Sequence, residues 1–290
     1  MNYEQVDPMR LSSVPGLIED RCVKSEHPKM SMEEFELLPM RPGWKHEYWD
    51  GRAHITPREH GVVVAMPVTA RGVETSLVLR RATGADAPGL TSAFLEAFID
   101  STEYCDWETE KISDAADKAI RSHFAGERGK PHLASRVAIG FDSERGGDSI
   151  VGAALLAHAP RYSILDLLFI RPAWQRHGIA TALLSDAMNE LHSGGEAILK
   201  SAYHAANDAS MIWHQRFGFV EEPDLMRARL YSSAARHELW RRDKTGGLTD
   251  RDRVELQSEA DRWEIEVERL EEIANREGYR AVAPILTWRD

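Results

Sequence analysis

The stretch Phe169-Ile-Arg-Pro-Ala-Trp-Gln-Arg-His-Gly178-Ile-Ala-Thr-Ala-Leu-Leu184 decides how this chain is read. Just ahead and overlapping it, Ser163-Ile-Leu-Asp-Leu-Leu-Phe-Ile170 has the length and the aliphatic and aromatic content of a strand. Behind it, Ile179, Leu183, Ala187 and Leu191 recur at helical spacing, and Gly194-Gly195 supplies a stop. The join, Gln175-Arg-His-Gly178-Ile-Ala180, places glycine and alanine where the helix begins. A helix N-terminus leaves backbone N–H groups without partners and carries roughly half a positive charge, so it suits an anion. With so little side-chain bulk at Gly178 and Ala180, a pyrophosphate can approach those N–H groups directly.

A second block, Asn207-Asp-Ala-Ser-Met-Ile-Trp-His214-Gln-Arg-Phe-Gly218-Phe219, reads as an Asn-capped apolar helix ending in a Gly-Phe turn. A short strand, Glu196-Ala-Ile-Leu-Lys200, lies between the two blocks. Together, a Gln/Arg-x-x-Gly-x-Gly/Ala loop after a strand and this later helix resemble the core of the GNAT superfamily of N-acetyltransferases. The resemblance runs from about Ser76 to Glu222. It implies an α/β fold with a mixed central sheet flanked by helices, and acetyl-CoA as cosubstrate. It further implies that the motif strand splays from its neighbour with the acetyl group between them. The thioester oxygen would then meet backbone N–H groups near Phe169 and Ile170. The N–H groups of Arg176, Gly178 and Ala180 would hold the pyrophosphate, with Gln175, His177, Ile179 and Thr181 around it, and Asn207 would touch the coenzyme.

His214 departs from the family pattern, because most relatives carry at that place a tyrosine thought to protonate the departing thiolate. Histidine also donates a proton, and its ordinary pKa of about 6.5 is nearer working pH than tyrosine's of about 10. His214 is therefore the candidate acid, against the plainer reading of an imidazole packed beside Trp213. Asp166, mid-strand among leucines where many relatives carry an acidic residue, is the candidate base, against a salt-bridged strand residue. Tyr203, His204 and Asp208 are alternatives after the next strand. The acceptor wall falls to the loop Asp100-Ser-Thr-Glu-Tyr-Cys-Asp-Trp-Glu-Thr-Glu110, in which Asp106 and Trp107 suit an ammonium ion by charge and cation–π contact. Tyr203 is counted with them.

The chain has 290 residues, 42% of them hydrophobic, with a net charge of −11. That suffices for one large or two small domains with a real core. The acidic balance argues against nucleic acid as a partner, which needs a basic face. No apolar run reaches the ~20 residues of a membrane span, and the N-terminus lacks a signal-peptide layout. Cys22 and Cys105 have no metal-ligand spacing and make a poor disulfide framework, so a cytoplasmic setting and no metal are expected.

Residues 1–75 read as a β-rich extension. Ser31–Leu38 forms a short helix, Lys45–Thr56 turns at Asp50-Gly51 as a hairpin, and Val62–Pro67 is a third strand. This opening is similar to that of a bacterial family with a restriction-endonuclease-like fold, but the acetyltransferase pattern begins where that family's acidic ligands would follow. Residues 76–290 form the transferase domain. Within it, 223–278 are a helical insertion whose stripe Leu256, Ala260, Trp263, Val267, Leu270 and Ala274 needs a partner: the preceding helix, or a second copy in a homodimer. Residues 279–290 are expected to return as the last strand. Transfer of an acetyl group from acetyl-CoA to a primary amine, on a small molecule or a protein, is the leading reading. A non-catalytic acyl-CoA-binding module for protein contacts is the alternative, and a nuclease the weakest.

Overall fold

The computed structural model describes residues 25–142 and 146–286. Cys22, part of the turn Asp142–Asp148 and the end of the expected last strand lie outside the described residues. After the short helix α1 (Met32–Glu36), closed by a Ser31/Glu34 capping box, come β1 (Trp44–Trp49) and β2 (Arg52–Pro57). These two pair antiparallel about Asp50 and Gly51, both at positive φ (53° and 66°), which matches the strand twist of a tight hairpin. Trp44, Ala53 and Ile55 pack on Ala206, so the hairpin lies against the loop that follows the later strand β9 (Ile198–His204).

The main sheet contains β3 (Gly61–Pro67), β4 (Val78–Arg81), β5 (Lys130–Pro131), β6 (Arg136–Asp142), β7 (Gly147–His158), β8 (Ser163–Ile170), β9 and β10 (Val220–Glu221). Its order is β10-β3-β9-β8-β7-β6-β4, with β5 on β7. Between β4 and β6 run α2 (Ala87–Phe98) and α3 (Thr109–Phe124); α4 (Ile179–Ser193) joins β8 to β9, and α5 (Asp208–Phe217) joins β9 to β10. One face of the sheet buries α2 and α3 through Leu90, Phe94, Ala116 and Ile120 against Val137, Leu155 and Phe169. The other buries α4 through Leu183, Leu184, Met188 and Leu191 against Val64, Leu156, Leu165 and Leu199. Helical periodicity and strand alternation thus supply the apolar faces that the layers need.

Two expectations about the sheet are corrected. Tyr279–Val282 is a 3-10 turn and residues 283–286 join no strand. The strand next to β9 is instead β3, from the N-terminal region, pairing antiparallel from Gly61↔His204 to Pro67↔Ile198. Val62, Val63 and Val64 are buried on both faces of the sheet, which is why this run is a near-continuous apolar one. Residues 279–282 instead cover the helical hairpin: Val282 is fully buried with Leu225, Trp263 and Leu270 between α6 (Leu225–Thr245) and α7 (Asp250–Glu277). The apolar stripe of α7 therefore finds its partner within the chain. None of the helices in the described residues is long and apolar enough to cross a membrane.

Candidate active site

β8 and β9 are the parallel pair of the sheet, linked by the α4 crossover, but they pair only at Ser163↔Leu199 and Ile164↔Lys200. Beyond that point they part, and a wedge opens between residues 165–170 and 201–204. The cause sits in β8. Leu165 faces Leu156 of β7 and Leu167 faces Leu155, so Asp166 is an extra residue with no counterpart, a β-bulge. A bulge bends its strand and re-aims its side chains. Here it turns Leu167 and Phe169 to the α2–α3 face and Leu165 to the α4 face.

Arg171 N–H donates to Val151 O at 2.8 Å. By the alternation of an antiparallel ladder, Phe169 also turns its amide to β7, while Leu168 and Ile170 turn theirs to the wedge. Of the two expected thioester donors, Ile170 therefore faces the opening and Phe169 does not. Gly152 on β7 has no Cβ because Ile170's side chain occupies that space. Gln175 folds back on the same strand, its Nε2 donating to Ile170 O at 3.1 Å.

The wedge leads to the start of α4. Gly178 is its N-cap at φ 74°, with no side-chain capping bond, and Ala182 N–H donates to Gly178 O at 2.9 Å. A Cβ on Gly178 would meet no protein atom within 4 Å, and Arg176 is also left-handed at φ 65°. The turn thus exposes the first helical N–H groups to open space, with Arg176, His177 and Gly178 exposed around them. Ile179 instead points into the core and Ala180 is half-buried. His177 borders a cavity of about 290 Å³ shared with Thr75, Leu77 and Trp174. Thr181 Oγ1 accepts from Trp213 Nε1 at 3.3 Å, tying α4 to α5. Asn207 caps α5 by accepting from Ser210 N–H at 2.9 Å. It also donates from Nδ2 to Glu103 Oε1 at 2.7 Å, joining α5 to the α2–α3 loop.

The expected acid and base are placed differently. His214 is 3% exposed, with Nδ1 2.8 Å from Ser210 O and Nε2 3.0 Å from Ser201 Oγ. Burial pushes its pKa down to about 4, so the ring is neutral. Nδ1–H donates to the helix carbonyl and Nε2 accepts the Ser201 hydroxyl proton, leaving no proton to give a ligand. The Asp166 side chain is fully buried, accepting from His123 at 2.9 Å and from Arg128 Nε at 3.0 and 3.1 Å. That carboxylate secures the bulge and has no open lone pair toward an acceptor. Tyr203 shares the buried face of Ser201 and donates to Glu221 Oε1 at 2.6 Å, which removes it from the acceptor surface. Strand alternation explains this, since Leu199, Ser201 and Tyr203 lie on one side.

Asp106 and Trp107 are exposed on the α2–α3 loop as expected, but both have partners. Asp106 accepts from Ser25 at 2.5 Å, and Lys111 Nζ rests 3.8 Å over the Trp107 ring. Two groups were missed. Glu103 stood in the quoted loop without distinction. His60, whose Nε2 lies 2.7 Å from Asp224, sits beside His204 through the Gly61↔His204 pair. Neither has a local signal, because each acquires its neighbours from distant segments. Among the described residues, His132, His158 and Glu196 have metal-ligand proximity. However, Ala134 N–H donates to His132 Nδ1 at 2.9 Å, so a neutral ring keeps its proton on Nε2 and cannot ligate there.

No curated protein matches the sequence. Among solved structures, a GCN5-related N-acetyltransferase from Sphaerobacter thermophilus is 18% identical over 56% of this chain, with a TM-score of 0.38, and the match spans 48% of that protein. PaiA N-acetyltransferase from Thermoplasma acidophilum, crystallised with coenzyme A, is 19% identical over 50% of this chain and 91% of that one, at 0.38. The ribosomal-protein-S18-alanine N-acetyltransferase of Escherichia coli is 18% identical over 51% and 83%, at 0.37. The segment that builds the wedge and the α4 turn, residues 139–221, matches the family model of the acetyltransferase (GNAT) domain.

Proposed function

We propose that this protein binds acetyl-CoA and transfers its acetyl group directly to a primary amine. The observation that carries the reading is the wedge: β8 and β9 stop pairing after Ile164 and Lys200, and the opening runs into a glycine-capped helix start. A pyrophosphate on the first N–H groups of α4 lets the pantetheine arm lie along β8, where the Leu168 and Ile170 amides face it. An amide aimed at the thioester oxygen stabilises the developing oxyanion, a contribution of about 3 kcal/mol per donor in comparable sites. The match of residues 139–221 to the GNAT domain supports the same chemistry.

The burial and neutrality of His214 favour one second reading, a non-catalytic acyl-CoA-binding module. Release of coenzyme A measured with a panel of primary amines separates the two. Amine-dependent release is expected; acetyl-CoA binding without release for any amine leaves only the module. Location in the cytoplasm and the identity of the acceptor stay within this proposal.

A further inference from the structure

The long helix α7 carries a second stripe that stays open to solvent. Its inner stripe, with Trp263 and Leu270, packs on α6. On the side turned away from α6, Arg251, Val254, Ser258, Asp261, Ile265 and Glu268 follow one another at alternating spacings of three and four, and all six are exposed. That spacing is the seam of a helix pair. Its two aliphatic members, Val254 and Ile265, are 69% and 65% exposed. They border a trough of about 880 Å³ whose lining residues, between Arg253 and Glu266, all belong to α7. Among the described residues, α7 is therefore its single wall.

The residues along this stripe complement their own reverse order. About the midpoint between Glu259 and Ala260, Ser258 mirrors Asp261, Val254 mirrors Ile265 and Arg251 mirrors Glu268. A twofold axis through that midpoint, perpendicular to the helix, sets each residue opposite its mirror on an antiparallel second copy. Every pair then forms twice: Val254 meets Ile265, Arg251 meets the Glu268 carboxylate, and the Ser258 hydroxyl donates to Asp261. A parallel pair would set Arg251 on Arg251, Asp261 on Asp261 and Glu268 on Glu268, and like charges repel. The polar centre costs stability and fixes direction and register. Within the chain Arg251 Nε donates to Glu255 Oε1 at 2.9 Å, but these side chains are 86% and 62% exposed. So open a pair holds little, and Arg251 can exchange it for Glu268 of the second copy.

We propose that the outer face of α7 is a homodimer interface, occupied by α7 of a second copy running antiparallel. With two aliphatic side chains from each copy and a charge of −11 opposing approach, the association is weak, with a Kd on the order of 10–100 µM. The dimer is independent of the acetyl-transfer reading.

Sedimentation equilibrium of the full chain over about 5 to 500 µM, assay settings that bracket this Kd, should show monomer and dimer in exchange. Ile265→Asp sets a carboxylate opposite Val254 and should weaken the dimer at least about 10-fold at an unchanged Tm. Arg251→Glu and Glu268→Arg each oppose like charges and should weaken it as well, whereas the two together should restore the wild-type Kd. Both charged positions are exposed, so this exchange reads the interface even where Ile265→Asp lowers the Tm. A monomer throughout the range overturns the proposal and leaves the face to an unrelated partner. A dimer that Ile265→Asp leaves intact in a folded protein, or a double variant no tighter than the single ones, overturns it too.

Discussion

Both ring nitrogens of His214 are engaged, one by its own helix and one by Ser201, and this fixes what the residue does. It is a neutral pin between α5 and β9. The folded ring resists protonation down to about 4, whereas the unfolded ring takes a proton near 6.5. The stability this contributes is therefore complete above pH 6.5 and is lost as pH falls toward 4, on the order of 3 kcal/mol. His214→Gln should unfold with a flatter Tm-versus-pH curve over that window while retaining turnover at pH 7.5. A steep curve in the variant, or lost turnover at unchanged Tm, would return His214 to the chemistry. The sequence located this residue, and the tyrosine-to-histidine difference, without showing its burial. Burial depends on Phe219 and Tyr203 closing around it from other elements. Asp166 shows the same limit: its place on a leucine-rich strand was legible, but His123 and Arg128 come from another part of the chain.

At the scale of elements, local patterns carried far. The Asp50-Gly51 turn and the Gly194-Gly195 stop each depend on a few adjacent residues, and each occurs where its residues stand. Strand order is a different matter, because pairing between distant segments leaves no periodic trace. Residues 62–67 were recognised as a strand yet assigned to an extension, while residues 279–290 were expected to close the sheet. The observed β3 lies between β9 and β10, with Val62 and Val64 in the α4-side core. A chain beginning at residue 76 should therefore fail to unfold cooperatively, whereas one beginning at residue 25 should. Native-like cooperative melting of the shorter chain, followed by circular dichroism, would contradict the central placement of β3.

For the molecule as a whole, charge and shape act together. The chain carries a net charge of −11. Association with a cationic amine should be assisted by this field and screened by salt. Measured kcat/KM for n-butylamine should fall as ionic strength rises from 20 to 300 mM, these being assay settings; a flat or rising profile would argue for a neutral or anionic acceptor. The same acidic balance is the reason no nucleic-acid face is expected. The α6–α7 hairpin closes on Trp263, Leu270 and Val282, which covers the middle of the long apolar stripe within the chain.

The most direct test is calorimetric titration of the folded protein with acetyl-CoA, repeated with Gly178→Val. At φ 74° a valine is strained, and its side chain would enter the open space in front of the α4 amides. The account predicts saturable heat in the micromolar range for the native chain and a loss of at least about 100-fold in affinity for the variant, equivalent to roughly 3 kcal/mol. No heat with the native chain, or equal affinity in a folded Gly178→Val, would contradict it.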